Sequence, residues 1–266
     1  MADYCRTTPR EVDNTMTDPA YLPRQDGERI AYRRIAGRSP GILWLGGFHS
    51  DMNGTKAQAM ADWAARSGRT FMRFDYFGHG ASSGAFEDGT ISRWRDDALA
   101  VLDALAEGPQ ILLGSSMGGW IAMLLAEARP QRVAAMVLIA PAPDLTEDLM
   151  WAKMPPDVRH AIVEDGRWQY QPDGAEAYPI TRALIEDGRK CLVLGTKLEV
   201  RGPVRILHGE ADNDVPWQHG LRLMDVLTGD ARFTLVKGAD HRLSTTAHLL
   251  LIERTVEGVL EDLESC

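Results

Sequence analysis

The sequence QILLGSSMGGW, residues 110–120, places a short apolar run directly before the pattern Gly-x-Ser-x-Gly. The apolar run predicts a buried strand, and residues 120–129 have the pattern of an amphipathic helix, so the glycine-rich residues form the turn between them. A turn this sharp forces Ser116 into a strained backbone conformation and requires residues as small as Gly114 and Gly118 beside it. We therefore predict a nucleophile elbow, with the Ser116 hydroxyl above a helix N-terminus that favours negative charge.

Two other interpretations of this turn are weaker. Plain loops rich in glycine and serine contain Gly-x-Ser-x-Gly by chance, because the pattern is short. A phosphate-binding loop carries Gly-Lys-Ser/Thr after its glycines, whereas this chain has Gly118-Gly119-Trp120. The strand before the turn and the helix after it favour the elbow over both.

The overall composition is typical of a soluble globular protein, with 266 residues, of which 44% are hydrophobic and 25% are charged. A formal net charge of −9 argues against a nucleic-acid partner, because phosphate binding requires a basic face. No apolar run is long enough to predict a transmembrane segment, and we expect no secretory leader. Cysteine usage predicts a reducing, cytoplasmic location without disulfides or metal-ligand spacing, because the three cysteines are Cys5, Cys191 and Cys266.

The N-terminal segment 1–19 is polar, lacks hydrophobic periodicity and contains two prolines, so we expect a disordered arm. Its acidic residues make it a poor mitochondrial presequence. Met16 is a second candidate for the start of the protein.

Strands alternate with helices along residues 20–140 and again along 203–266, which we predict to form one α/β core. Apolar strands as continuous as 133–139 indicate a mostly parallel sheet with helices on both faces. Asp26-Gly27 lies between two extended stretches and predicts an antiparallel hairpin at the N-terminal edge. The further predicted strands are 41–45, 70–74, 204–208 and 233–236, and the helices are 54–67, 90–107, 217–227 and 245–263.

The alternation breaks within residues 141–202, where we predict a helical lid inserted before the last two strands of the sheet. A long surface excursion without a role is the alternative. The apolar side chains of this segment suit a substrate wall and suit the small core of a lid equally well. The candidates for the wall are Trp151, Met154, Trp168 and Tyr170.

A nucleophilic serine needs a base, usually a histidine oriented by a carboxylate. Of the seven histidines, His241 directly follows the last predicted strand, at the end of the sheet where the elbow lies, and fits the base best. His49 and His79 also follow strands and compete with it. His208 ends a strand, where a histidine more often packs or makes a local hydrogen bond. The remaining histidines are predicted on helices: His160, His219 and His248.

The carboxylate is expected after a strand that lies between the serine and the histidine in the chain. Asp212 meets this condition in the stretch HGEADNDVP, and Asp214 competes with it two residues later. Asp75 also follows a strand but precedes the serine. We expect Asp75 to brace the loop before Gly78 through local backbone hydrogen bonds.

These motifs together resemble the α/β-hydrolase fold, and the resemblance covers nearly the whole chain from about Tyr21. A closer resemblance is to the depalmitoylating acyl-protein thioesterases of the α/β-hydrolase-domain group, some of which are mitochondrial. The residues that carry it are Met52-Asn53-Gly54, Arg73-Phe74-Asp75-Tyr76, Gly108-Pro109-Gln110-Ile111-Leu112, Gly114-Ser115-Ser116, Gly118-Gly119-Trp120, Val215-Pro216-Trp217 and Asp240-His241-Arg242.

The resemblance implies a serine hydrolase that cleaves carboxylic esters or thioesters through an acyl-enzyme, with no metal and no organic cofactor. Ser116 corresponds to the nucleophile, His241 to the base and Asp212 to the acid. The oxyanion hole would consist of the backbone N–H groups of Phe48 and Met117.

Many relatives have His-Gly in the loop before the second oxyanion donor, whereas this chain has Gly46-Gly47-Phe48. The substitution keeps the close approach of the backbone but puts the second donor in doubt.

Other functions are possible on the same fold, because a fold does not fix the reaction. A C–C bond hydrolase, a lyase and a ligand receptor that keeps the triad are the alternatives. The expected partner is an acyl ester or thioester, either a small molecule or one carried by a protein, and the oligomeric state is left open.

Overall fold

The computed structural model describes residues 18–171 and 176–265 of the chain. Within these ranges the strands are β1 (Ala20–Pro23), β2 (Arg29–Ile35), β3 (Arg38–Leu45), β4 (Arg69–Phe74), β5 (Gln110–Ser115), β6 (Val133–Ile139), β7 (Arg167–Tyr170), β8 (Tyr178–Thr181), β9 (Leu198–Glu199), β10 (Val204–Gly209), β11 (Leu227–Thr228) and β12 (Ala231–Val236). The α-helices are α1 (Thr55–Ser67), α2 (Ile91–Leu105), α3 (Met117–Ala128), α4 (Pro156–Asp165), α5 (Arg182–Gly188), α6 (Trp217–Leu221), α7 (Leu223–Val226) and α8 (Thr246–Glu264).

Eight of these strands form the central sheet, in the spatial order β1, β2, β4, β3, β5, β6, β10, β12. Strand β2 is antiparallel to both of its neighbours, and the other pairings described in this sheet are parallel. The turn between β1 and β2 contains Asp26-Gly27, and the φ of Gly27 is 88°. The predicted parallel sheet with an antiparallel hairpin at its N-terminal edge is therefore confirmed.

Successive residues of β5 contribute to two different parts of the core, as expected of a strand covered on both faces. Leu112 belongs to the cluster that contains Trp94 of α2 and Trp120 of α3. Its neighbours Ile111 and Leu113 belong to the other cluster, which contains residues of α1 and α8. The helices therefore cover both faces of the sheet, as predicted.

The segment between β6 and β10 is the predicted insertion, and it lies before the last two strands of the sheet. It contains α4 and α5, a π-helix over Leu145–Met150 and a 3₁₀-helix over Trp151–Lys153. It also contains the antiparallel hairpin β7–β8, which the sequence analysis did not predict. The hairpin pairs Tyr170 with Tyr178 across its strands. Aromatic cross-strand pairs of this kind favour a sheet.

Two helices differ from the sequence prediction. Helix α3 begins at Met117, three residues before the predicted start. The glycines that follow Met117 are poor helix formers and hide the start of the helix from the sequence pattern. The helix predicted over 217–227 is divided at Arg222 into the short helices α6 and α7. Helix α7 ends at Val226, because Leu227 is extended and pairs with Leu198 of β9.

The predicted arm lies outside the described residues apart from positions 18 and 19. Met16, Cys5 and Cys266 also lie outside them. No helix in the described ranges combines the length and the hydropathy needed to cross a bilayer.

Candidate active site

The turn between β5 and α3 holds Ser116 in a strained conformation, with φ 55° and ψ −120°. Its backbone N–H donates to the carbonyl of Ile139 at the end of β6, at 2.9 Å. A Cβ atom on Gly114 would lie 2.5 Å from the carbonyl oxygen of Gly118, and one on Gly118 would overlap the carbonyl oxygen of Leu45. Both glycines are therefore required by the space around the turn, as the sequence pattern predicts.

Three polar side chains from separate strand ends meet at this turn. Ser116 follows β5, Asp212 follows β10 and His241 follows β12. The Nε2 atom of His241 lies 3.1 Å from Ser116 Oγ, and its Nδ1 atom lies 2.7 Å from Asp212 Oδ2. An imidazole held in this way can accept the serine proton at Nε2 while Nδ1–H donates to the carboxylate.

The Asp212 carboxylate is buried and accepts hydrogen bonds on both oxygens. Its Oδ1 atom accepts the backbone N–H groups of Asp214, at 3.0 Å, and Val215, at 2.8 Å. Burial by itself raises the pKa of Asp212, but the hydrogen bonds from His208 and His241 outweigh it and hold the pKa well below the ordinary value. Asp212 is therefore ionised at neutral pH.

The competing Asp214 is exposed and directs its backbone N–H, not its carboxylate, at Asp212. Asp75 accepts the backbone N–H of Met52 at 2.6 Å and that of Ala81 at 2.8 Å. The bond from Ala81 is a local bracing contact of the predicted kind, whereas the bond from Met52 connects Asp75 to the loop before α1.

The loop after β3 approaches the other side of the nucleophile. A Cβ atom on Gly47 would lie 3.4 Å from the Cβ of Ser116, so the backbone here passes close to the elbow. Met117, whose N–H is the other predicted oxyanion donor, is buried and is the first residue of α3. The ring of Phe48 packs in an aromatic cluster with Phe86, Trp94 and Tyr178, at centroid distances of 5.2, 5.7 and 5.7 Å.

The buried side chain of His79 forms a hydrogen bond with the loop after β3. The backbone N–H of His49 donates to His79 Nε2 at 3.2 Å, and His79 Nδ1 lies 3.0 Å from the carbonyl of Phe77. Burial lowers the pKa of His79 to about 4, so the ring is neutral at pH 7 and Nε2 is free to accept. His79 thus has a definite structural partner next to Phe48, which the sequence analysis did not identify.

Lys56 on α1 also reaches the site, and the sequence analysis did not single it out. Its Nζ atom donates to the carbonyl of Arg242 at 2.5 Å, one residue after His241. Burial lowers the pKa of Lys56 to about 8. No local signal marks this contact, because the two partners lie 186 residues apart in the chain.

Comparison with known proteins shows the family of the chain. Residues 42–168 match the family model Hydrolase_4, described as "Serine aminopeptidase, S33". Over 256 residues the chain is 38% identical to a Bos taurus protein named "Palmitoyl-protein thioesterase ABHD10, mitochondrial", covering 94% of this chain and 82% of the relative. This chain belongs to the ABHD10 family of α/β hydrolases.

Solved structures of similar proteins have the same fold. The mouse α/β-hydrolase domain-containing protein 10 has a TM-score of 0.85 and 36% identity, covering 92% of this chain and 99% of its own. A putative hydrolase from Agrobacterium vitis S4 has a TM-score of 0.87 and 42% identity, covering 91% of this chain and 98% of its own. The resemblance to this thioesterase group and the α/β-hydrolase fold are both confirmed.

The names of the ABHD10 relatives describe those proteins as mitochondrial. The cytoplasmic location predicted for this chain is not supported by them and stays a prediction.

In this member of the ABHD10 family, the residues predicted to form a substrate wall lie in the insertion. Tyr170 is 39% exposed, and its ring centroid lies 5.3 Å from that of Tyr178. The others pack against the small core of Ile162, Ile180 and Ile185, which Phe48 also contacts. A role in contacting substrate stays a prediction for Trp151, Met154, Trp168 and Tyr170.

Among the described residues, Asp212, Asp214 and His241 carry potential metal-ligand atoms within 4.8 Å of one another. Asp212 and His241 are joined by their own hydrogen bond, so a cation would have to displace it. We therefore assign no metal to this cluster of the ABHD10-family site.

Proposed function

We propose that this protein is a serine hydrolase that cleaves carboxylic thioesters and esters through Ser116, His241 and Asp212. The observation that carries the proposal is the unbroken hydrogen-bonded chain between these side chains, with distances of 3.1 Å and 2.7 Å. Family membership supports the same reaction class, because the relatives are named as palmitoyl-protein thioesterases.

In the first half of the reaction, Ser116 Oγ attacks the acyl carbonyl carbon while His241 Nε2 takes its proton. The imidazolium that forms is stabilised by the ionised Asp212, which accepts from Nδ1–H. The carbon–sulfur or carbon–oxygen bond then breaks. His241 returns the proton to the leaving thiolate or alkoxide, and the acyl group stays on Ser116 as an ester.

The negative charge of the tetrahedral intermediate would be held by the backbone N–H groups of Phe48 and Met117. Two observations support this assignment: the loop of Gly47 approaches Ser116, and Met117 opens helix α3. The N-terminus of a helix favours an anion, and one oxyanion donor typically contributes about 3 kcal/mol to the transition state.

In the second half, water replaces the leaving group. His241 Nε2 removes one proton from the water as the water oxygen attacks the acyl carbon. The bond between the acyl carbon and Ser116 Oγ then breaks, the imidazolium returns its proton to Oγ, and the carboxylic acid that leaves loses its remaining proton to solvent. The complete cycle consumes one water molecule and releases a thiol or alcohol and an acid. No atom changes its oxidation state.

The segment 141–202 is proposed as the lid and the segments 20–140 and 203–266 as the catalytic core. Two contacts support a lid that is attached next to the site. His219 Nε2 lies 2.6 Å from the carbonyl of Pro143, and the guanidinium of Arg222 pairs with Asp148. We propose acyl groups carried by a thiol as the main substrate class, with the apolar side chains of this segment contacting the acyl chain.

The test is steady-state hydrolysis of matched thioesters and p-nitrophenyl esters with acyl chains of increasing length. We expect Ser116→Ala to abolish turnover while thermal unfolding stays close to that of the wild type. Ser115→Ala is the matched control, because this serine directly precedes the nucleophile and is buried at the end of β5. Wild-type rates in Ser116→Ala would overturn the mechanism.

The same series separates the competing functions. Fast turnover that depends on Ser116 and peaks at long-chain thioesters supports a depalmitoylating enzyme, and a peak at short oxygen esters supports a general carboxylesterase. Negligible turnover on every substrate would favour a C–C bond hydrolase, a lyase or a ligand receptor.

A further inference from the structure

Two histidines contact the same oxygen atom of Asp212. His241 Nδ1 lies 2.7 Å from Oδ2. His208, the penultimate residue of β10, is completely buried, and its Nε2 atom lies 3.3 Å from the same Oδ2. This second contact is made by a residue of strand β10 and does not involve Ser116.

The surroundings of His208 fix which of its nitrogens carries the hydrogen. Nε2 also lies 2.9 Å from the carbonyl oxygen of Val215, which can only accept. Nε2 is therefore the protonated nitrogen, and its hydrogen is shared between the Val215 carbonyl and the Asp212 carboxylate. Nδ1 has no hydrogen-bond partner within residues 18–171 and 176–265.

The ring of His208 has little freedom to turn. A Cβ atom on Gly220 would lie 2.5 Å from Nδ1, so α6 closes that side of the ring. The ring of Phe233 stacks on His208 at a centroid distance of 5.9 Å and an interplanar angle of 20°. Packing therefore fixes the position of Nε2, between the Val215 carbonyl and Asp212 Oδ2.

We propose that His208 is a positioning residue that acts through Asp212, by donating Nε2–H to the oxygen that orients His241. This inference rests on the proposed function. A carboxylate oxygen that accepts two donors offers less charge to each, so His208 weakens the pull of Asp212 on the imidazolium while it holds the carboxylate plane. The Oδ1 atom is held by the backbone of the same loop, so both oxygens are fixed.

Other charged groups lie around Asp212 and His241 and come from three parts of the chain. Replacing His208 does not change any of them. They are Lys56 on α1, Asp214 in the loop after β10, and Asp240 and Arg242 in the loop after β12.

Two substitutions of nearly equal shape separate the hydrogen bond from the packing. His208→Gln keeps an N–H donor near the position of Nε2, and His208→Met does not. Without the donor, Asp212 favours the imidazolium of His241 more strongly, and a base must be neutral to act. We expect His208→Met to lower kcat about 10-fold and to move the acid limb of kcat/KM about half a pH unit upward, whereas His208→Gln stays near the wild type.

The control is the same pair of substitutions at His219. This histidine is also buried, but its Nε2 atom contacts the carbonyl of Pro143 instead of Asp212. His219→Met and His219→Gln should leave the acid limb where it is in the wild type. An unmoved acid limb in His208→Met, or an equal shift in His208→Gln, would overturn the role of His208.

A measurement on the unaltered protein covers the case in which His208→Met does not fold. Histidine ¹⁵N NMR should show His208 as the Nε2–H tautomer, with a proton resonance that shifts when His241 is protonated. The Nδ1–H tautomer would overturn the proposal. These outcomes are distinct from failure of the proposed function, which is signalled by turnover in Ser116→Ala.

Discussion

The two sides of Ser116 are held in place by different kinds of contact. On the side of Asp212 and His241, charged and polar atoms are joined by hydrogen bonds at nearly ideal distances. On the side of Phe48, the loop is held mainly by aromatic rings, together with hydrogen bonds from the His49 N–H to His79 and from Ser50 Oγ to the Gly47 carbonyl. Hydrogen bonds to a charged group fix its protonation as well as its position, whereas ring packing fixes position alone.

This difference suggests how each side should respond to substitution. Changes on the side of Asp212 alter which atom carries a proton and should stop the chemistry. Changes on the side of Phe48 alter the geometry of the oxyanion donor and should lower kcat only partly.

The largest expected effect is that of Asp212→Asn, with Asp214→Asn as its control. The amide of asparagine cannot stabilise the imidazolium and favours the wrong tautomer of His241, so kcat should fall by about 10⁴-fold. Asp214→Asn keeps the backbone N–H that Asp212 accepts and should retain most of its activity. Steady-state kinetics on one thioester at neutral pH provide the comparison, and the reverse order of losses would move the acid to Asp214.

Replacement of His79 should have a smaller effect. His79→Leu removes the acceptor of the His49 N–H and loosens the loop of Phe48, so kcat should fall by up to about 10²-fold with little change in KM. His79→Gln can still accept through its side-chain oxygen and should recover part of the loss. A wild-type kcat in His79→Leu would show that the bond between His49 and His79 does not support the Phe48 oxyanion donor.

Acidification should lower the unfolding free energy of the protein through the same histidine. The folded pKa of His79, about 4, lies below its unfolded value near 6.5, so the unfolded chain binds more protons as the pH falls. Between pH 7 and pH 5 the wild type should therefore lose about 2 kcal/mol more of its unfolding free energy than His79→Gln. Urea unfolding at the two pH values measures the difference, and equal losses in both proteins would contradict the prediction.

The smallest expected effect concerns the contact between the hairpin and the loop. The ring of Tyr178 stacks on His49 at 4.4 Å and lies edge-on to Phe48. Because an aromatic pair contributes about 1 kcal/mol, Tyr178→Ala should raise KM for long-chain thioesters about 5-fold. Tyr178→Phe keeps the ring and serves as the control; a matching rise in KM there would assign the effect to the hydroxyl.

The elbow, the edge hairpin and the strand ends could be predicted from the sequence because each depends on local physical limits. Gly114 and Gly118 are dictated by the space around one turn, and Asp26-Gly27 by the conformation of another. The alignment of parallel strands then brings residues at their carboxyl ends to one edge of the sheet, and this rule predicts Asp212 and His241 beside Ser116.

The contacts that could not be predicted connect distant residues through side-chain orientation. The bond between His49 and His79 joins residues 30 positions apart, and that between Lys56 and Arg242 spans 186. Hydrophobic periodicity reports which face of an element is buried, but not which nitrogen of a buried ring meets which partner. The interaction of His208 with Asp212 could not be predicted for the same reason, although the two residues are only four positions apart.

Because of its hydrogen bonds, the site can be active only when the whole sheet has folded. The bond between Ser116 and His241 spans 125 residues, and the bond between His241 and Asp212 spans 29. Such non-local contacts form late, after the strands that carry them have paired. During refolding, hydrolytic activity should therefore recover only when β5, β10 and β12 lie in one sheet, after much of the helix signal has returned. A newly made chain would remain inert towards acyl groups until its last strand and helix are in place.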